Sequence, residues 1–281
     1  LVYFILPNGN GHQELWRTDG TAGGTQQVLD LNVSDSITGV TQMVSYDGKM
    51  FIAATKSWNN FYLYNYDGTG SHLQRMNVSS NTNLYPQQLT VYNGALYFTG
   101  YTATGMNIYK LSNSNTTPQT IVPVTNYSSI NQMTFANNSI YFYADNSQQI
   151  HRIDLTNMQY TINPLNGFNL PSYFQTNGML AGIGGQVFFT VYDSFYQNQM
   201  FAEADADLQK LQIIMPAANC NAHPFNFLAG CGTADIFDFK VWNNKLIVPA
   251  NFNEAGRELW VFEPTDVANA IPELKSKTTF S

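Results

Sequence analysis

The sequence predicts an all-β fold, a six-bladed β-propeller of four-stranded antiparallel blades, and three observations carry that expectation. A short aromatic or β-branched strand recurs six times, five of the copies follow a turn rich in Gly, Asn or Asp, and helical periodicity is almost missing between them. The copies are residues 1–6 (LVYFIL), 49–54 (KMFIAA), 95–100 (ALYFTG), 139–144 (SIYFYA), 186–191 (QVFFTV) and 245–250 (KLIVPA), starting 48, 46, 44, 47 and 59 residues apart. A β-sandwich has no reason to repeat one aromatic strand at a fixed period, whereas a propeller blade has this length.

Each later copy is the second arm of a hairpin. Alternating segments at 42–48, 88–94, 132–138, 179–185 and 237–244 run into the turn, and alternation broken by a two-residue Gly, Asn or Asp turn is the strongest short-range hairpin signal. A third strand follows in every unit, at 13–18, 61–66, 106–111, 149–154, 199–204 and 257–262. A fourth closes most units, at 24–31, 72–78, 118–124, 159–165 and 208–215.

The 281 residues therefore read as one propeller domain with repeat units at 1–35, 36–80, 81–125, 126–170, 171–215 and 236–281, and an insertion at 216–235. The first unit has no opening strand, and Pro264 and Pro272 interrupt the tail after the last third strand. Either the tail supplies the missing strand or it lies upstream of Leu1, and missing upstream sequence would leave room for a seventh blade. The chain begins without Met, inside a strand pattern, which reads as a processed or truncated start.

Composition narrows the function classes. Charged residues are 11% of the chain, under half the usual quarter, and 32 asparagines carry much of the polarity. A net charge of −7, from 12 basic and 19 acidic residues, argues against a nucleic-acid partner, whose phosphates need a basic surface. No apolar run approaches the length of a membrane helix, so this segment is expected not to insert into a membrane.

The sharpest local signature is Glu14-Leu15-Trp16-Arg17-Thr18-Asp19-Gly20-Thr21-Ala22-Gly23-Gly24-Thr25. Partial echoes are Asp67-Gly68-Thr69 in the second unit, Asp154 in the fourth, an offset match around Asp205 in the fifth, and Glu258-Leu259-Trp260 in the sixth. The signature resembles the ELWxxDGT repeat of hyalin-like extracellular proteins, and that resemblance implies a secreted or cell-surface β-propeller. Residue by residue, Leu15 and Trp16 point to opposite faces of the third strand, Asp19-Gly20 supplies a turn, and Glu14 and Glu258 are expected to tether blades by hydrogen bonds.

A search for chemistry finds little. The four arginines, Arg17, Arg75, Arg152 and Arg257, do not form the cluster a sialidase needs for its substrate carboxylate. His12, His72, His151 and His223 are scattered over four units, unlike a zinc site. No cofactor is expected; Asp193, Asp205 and Asp207 leave a structural calcium open. Cys220 and Cys231 share the long insertion, and a local disulfide there would imply an oxidising compartment. Glycosylation triplets stand at Asn32, Asn77, Asn115, Asn126 and Asn137, no more than the abundance of Asn, Ser and Thr gives by chance.

Loops that gather on one face of a propeller would hold Trp58, Tyr85, Tyr101, Asp193, Phe195 and Tyr196 as ligand-binding candidates. The sequence thus predicts a non-enzymatic propeller that serves adhesion or assembly at the cell surface or in a secreted complex. Its expected partners are other surface or secreted proteins or glycans. The alternative is a propeller that binds or cleaves carbohydrate with its aromatic loop face.

Overall fold

A computed structural model of the chain describes residues 1–57, 60–78, 84–102, 105–121, 127–145, 149–163, 174–193, 198–214, 238–250 and 258–262. The chain divides into two compact units, Leu1–Ser128 and Ser129–Ser281.

The first unit holds three antiparallel sheets. The first consists of β1 (Val2–Pro7), β2 (Gln13–Thr18) and β3 (Gln26–Asp30), followed by a one-turn helix α1 (Leu31–Asp35). The second is β4 (Gly39–Tyr46), β5 (Lys49–Ser57), β6 (Asn60–Tyr66) and β7 (Gln74–Arg75), and the third is β8 (Gln87–Tyr92), β9 (Ala95–Thr102), β10 (Gly105–Leu111) and β11 (Gln119–Thr120). The second unit repeats the plan. Its sheets are β12 (Ile130–Ala136), β13 (Ser139–Ala144), β14 (Ile150–Asp154) and β15 (Tyr160–Asn163); β16 (Phe174–Ile183), β17 (Gln186–Asp193), β18 (Asn198–Asp205) and β19 (Leu211–Ile214); and β20 (Lys240–Trp242), β21 (Lys245–Ala250) and β22 (Glu258–Phe262). Strands follow one another in sequence order within every sheet.

The hairpins form where the sequence places them, for a conformational reason. Both central residues of the five two-residue turns among the described residues have positive φ: Asp47 (48°) and Gly48 (74°), Asn93 (44°) and Gly94 (71°), Asn137 (41°) and Asn138 (57°), Gly184 (57°) and Gly185 (84°), and Asn243 (48°) and Asn244 (56°). A type I′ turn demands this pair of left-handed residues, and Asn, Asp and Gly are the types that tolerate it. The turn fixes the register, as in Tyr46 opposite Lys49 and Tyr92 opposite Ala95.

Register then decides which side chains are buried together. In β5, Phe51 and Ala53 enter the core shared with β8–β11, while Ile52 and Ala54 enter the core shared with the first sheet. In β17, Val187, Phe189 and Val191 pack toward β12–β15, and Phe188 packs toward β20–β22. Both faces of these strands are covered, so the strand reads as a continuous apolar run rather than an alternation. Fully burying one such side chain is worth about 1.5–3 kcal/mol.

Three sequence expectations are corrected. The fourth strands expected at 72–78 and 118–124 shrink to the two-residue β7 and β11, as suits exposed edges, which proteins keep short. The segment expected as strand through Leu31 ends at Asp30. There the Asp30 carboxylate accepts hydrogen bonds from Asn32 N (3.1 Å) and Val33 N (3.0 Å) and starts α1. The third correction is a β-bulge in each of β4, β8, β12 and β16, which the sequence did not reveal. At three of them the extra residue is left-handed: Gln88 (55°), Gln132 (53°) and Gly178 (73°).

The sheets touch closely at their bulged strands. Gly182 N donates to Thr134 Oγ1 at 2.8 Å, and a Cβ on Gly182 would stand 2.0 Å from the Phe135 carbonyl oxygen. The turn chemistry is directly testable at Asn137, which is exposed. Asn137→Val should destabilise the protein by roughly 1–2 kcal/mol because a β-branched residue must enter the left-handed region, whereas Asn137→Gly should leave stability unchanged or raised; urea unfolding of both variants measures the difference.

Candidate functional site

The ELW-DGT signature closes the end of the first sheet. Leu15 is fully buried in the core, and Trp16, on the opposite face, is half-buried. The Glu14 carboxylate accepts from Trp16 Nε1 (2.9 Å) and Asn8 Nδ2 (3.1 Å). Both partners belong to its own sheet and turn, so the hydrogen bonds of Glu14 tie its own blade together. Asp19 Oδ1 accepts from Thr21 N (2.9 Å) and Thr21 Oγ1 (2.7 Å), Thr21 Oγ1 accepts from Gly24 N (2.9 Å), and Thr25 Oγ1 donates to Thr21 O (2.7 Å). Gly20, at φ 94°, makes the turn, and a Cβ on Gly24 would stand 2.0 Å from Asp19 Oδ1. Asp19, Gly20, Thr21, Gly24 and Thr25 are thus spent on the loop itself, while Leu15 serves the core and Glu14 and Trp16 serve their own sheet.

The same device recurs at the same register. Val2 pairs with Thr18, Met50 with Tyr66, Ile140 with Ile153 and Val187 with Ala204. The next residue in each case is Asp19, Asp67, Asp154 or Asp205, so the offset that the sequence showed at Asp205 disappears. Asp67 Oδ1 accepts from Thr69 N (2.9 Å) and Thr69 Oγ1 (2.8 Å), and Asp154 Oδ1 from Thr156 N (2.8 Å). Asp205 Oδ1 accepts from Gln209 N (2.7 Å) and Lys210 N (3.0 Å). Hydrogen bonds from Thr21, Thr69 and Thr156 hold the carboxyls of Asp19, Asp67 and Asp154 below their ordinary range.

Other polar clusters among the described residues are also engaged. Arg152 Nη2 pairs with Asp207 Oδ1 (2.9 Å) and Asp154 Oδ2 (3.7 Å), and Arg152 Nε donates to Ser139 Oγ (3.2 Å). Tyr141 Oη, its phenol pushed up to about 12 by burial, donates to Ala206 O. His151 is buried and stacked between Phe142 and Tyr160, with burial lowering its affinity for a proton. Among the described residues, no three of His, Cys, Asp and Glu come together as metal ligands. No described helix is long and apolar enough to cross a membrane.

A different feature offers a concave surface. At the opposite end of the second and third sheets, within the first unit, Thr41, Gln42, Phe61, Tyr85, Pro86, Gln87 and Gln88 line a pocket of about 340 Å³. The Tyr85 ring lies against Phe61, centroids 4.4 Å apart and planes tilted by 31°, and the Tyr101 ring meets Tyr85 edge-on at 5.9 Å. Leu84 N and Tyr85 N both donate to Phe61 O (3.1 and 3.4 Å), Tyr101 N donates to Leu84 O (2.6 Å), and Tyr101 Oη donates to Ser128 O (2.9 Å). The Gln42 amide clasps the backbone of Leu89 from both sides, Nε2 to O at 3.0 Å and N to Oε1 at 2.8 Å.

Tyr85 is held at φ 46° immediately before Pro86. An aromatic residue resists the left-handed region, and a following proline favours extended backbone, so the surrounding hydrogen bonds impose this conformation.

The structure therefore unites two of the six ligand-binding candidates, Tyr85 and Tyr101, and adds Phe61, Gln42, Gln87 and Gln88. Phe61 reads in sequence as an ordinary strand residue. The recurrence of Gln42, Gln88 and Gln132 four residues before the turn-flanking Tyr46, Tyr92 and Ala136 was the available signal. Trp58, Phe195, Tyr196, Cys220, Cys231 and Asn126 lie outside the described residues, as do the side chains of Asp193 and Glu258. Leu259 is exposed and Trp260 buried in the core; Asn77, Asn115 and Asn137 are exposed, and Asn32 lies half-buried in α1.

The Asp-closed turns set an acid dependence. A carboxyl held below its ordinary value of 3.8 stabilises the fold above that pH, and the stabilisation is lost as pH falls through the lower folded value. Wild type should lose stability as pH falls below about 4, and Asp19→Asn should shallow that loss; urea midpoints across the pH range would show it.

No protein-family model matches the chain, and no curated protein matches it in sequence. Solved structures do. The β-propeller domain of the trilobed protease from Pyrococcus furiosus, described as having an open velcro topology, is similar at 11% identity over 95% of this chain and 81% of that one, with a TM-score of 0.58. A prolyl endopeptidase is similar at 11% identity over 90% of this chain, with a TM-score of 0.60, but the chain spans only 38% of that enzyme. YCF48, solved bound to a D1 peptide, is similar at 11% identity over 89% of this chain and 74% of that one, with a TM-score of 0.51. At these identities the likeness concerns the fold alone, and it places six antiparallel sheets of the all-β class among the β-propellers.

Proposed function

We propose that this chain is a non-enzymatic, six-bladed propeller that acts outside the cell, in adhesion or structural assembly, with surface or secreted proteins or glycans as its partners. The observation that carries the reading is how its chemistry is spent. The carboxylates of Asp19, Asp67, Asp154 and Asp205 close turns, Arg152 is held between Asp154, Asp207 and Ser139, and His151 is stacked away from water. No ionised side chain lines the pocket, where aromatic rings and amides offer shape and hydrogen bonding to a ligand but no acid, base or nucleophile at neutral pH.

Two further considerations support it. The resemblance to ELWxxDGT-repeat proteins points to a secreted or surface setting, and the peptide-bound YCF48 shows that a protein of this fold can be solved with a peptide partner. The enzyme-derived neighbours, at 11% identity, share the fold alone.

The test is a paired assay on purified protein. Peptidase and glycosidase substrate panels should show no turnover, while immobilised matrix proteins and glycans should give saturable binding to at least one class. Turnover that co-purifies with the chain and disappears with an alanine substitution in it would overturn the reading.

A further inference from the structure

We propose that the pocket between Phe61, Tyr85 and Gln87 is a binding site for a neutral sugar ring. The proposal rests on the reading of the chain as a binding protein and names the ligand chemistry of the pocket.

Charge is the first selector. Thr41, Gln42, Phe61, Tyr85, Pro86, Gln87 and Gln88 include no side chain that is ionised at neutral pH. A carboxylate, sulfate or ammonium group entering this pocket would lose water and gain no counter-charge. Surface chemistry is the second. Phe61 and Tyr85 supply apolar ring surface, while Thr41 and Gln87 supply a hydroxyl and an amide group. A pyranose presents the matching pair, a face of C–H groups and an edge of hydroxyls that both donate and accept.

The division of labour among the amides supports this. Both ends of the Gln42 amide are committed to Leu89, so it shapes the wall rather than reaching for a ligand. The Thr41 hydroxyl donates to Ala53 O at 3.2 Å and keeps lone pairs to accept from a sugar hydroxyl. Gln87 is exposed, and its carbonyl accepts from Thr99 Oγ1 at 3.3 Å, which anchors the backbone and leaves the amide directed by its own torsions.

Size and rigidity are the remaining selectors. A volume of about 340 Å³ lies at the small end of ligand pockets and suits one or two rings rather than a long oligosaccharide. The Tyr85 backbone is fixed by the Phe61 carbonyl and its ring lies against the Phe61 ring, so little freedom is left to lose on binding.

The experiment is ligand-observed NMR and titration calorimetry on the whole chain. The probes are glucose, galactose, mannose and N-acetylglucosamine, the charged glucuronic and sialic acids, and an uncharged proline-rich peptide. At least one neutral sugar should bind and the charged sugars should not. Phe61→Ala should weaken binding about tenfold or more. Gln87→Ala, at an exposed position where folding is not at risk, should weaken it roughly two- to tenfold, as the loss of one hydrogen bond does. Peptide binding with the same sensitivities and no sugar binding would overturn the sugar assignment while sustaining the binding-protein reading. Silence with every probe, preference for a charged sugar, or binding indifferent to both variants would overturn the site. Cleavage of a glycoside would overturn the non-enzymatic reading itself.

Discussion

The structure depends on one constraint: the second strand of an inner sheet is covered on both faces and must therefore be apolar on both. β5 and β17 show it directly, with successive side chains entering different cores. Such a strand has no polar face to define its register. A slip of one residue would exchange the two sets of side chains, Phe51 for Ile52 and Phe189 for Phe188, without exposing an obvious error. The two-residue turn removes that ambiguity, because left-handed pairs such as Asp47-Gly48 and Asn137-Asn138 permit only one alignment of the arms.

From this register follows a separation of tasks along the strands. The hairpin turns lie at the same end as the Asp-closed loops, since Lys49 follows the turn and its neighbour Met50 faces Tyr66, next to Asp67. That end is stitched: Ser114 N donates to Asp47 Oδ2 at 2.8 Å, Lys49 Nζ to Asn115 Oδ1 at 3.1 Å, and Tyr46 Oη to Gly94 O at 3.0 Å. The other end carries the bulges, where pairing is interrupted and side chains are re-aimed. There Thr55 faces Phe61, and the Tyr85-Pro86 corner crosses over it. Self-satisfied carboxylates hold one end together while the aromatic pocket opens at the other.

The sequence disclosed the first part of this and hid the second. Hairpins were legible because alternation, turn residues and a double-faced apolar strand are local signals, and 49, 95, 139 and 186 all open a strand as expected. The echo of Asp19 in Asp67 was legible as a motif, and its function in the turn followed from side-chain chemistry. The short outer strands were over-read, because 72–78 has strand composition but sits at an edge where few backbone partners exist. α1 escaped because five residues carry no period, and its start depends on a single cap at Asp30. Half of the pocket was invisible for a different reason. Tyr-Pro reads as extended chain, so the left-handed Tyr85 that turns its ring onto Phe61 is a product of tertiary hydrogen bonds, and no local pattern reports it.

Native-state hydrogen exchange measures the central constraint most directly. If the doubly covered strands carry the stability of the repeat, the slowest-exchanging amides will cluster in β5, β9, β13 and β17, recurring with the spacing of the hairpins, while β7 and β11 exchange fast. Protection confined to a single sheet, or spread evenly over second and fourth strands alike, would contradict the account.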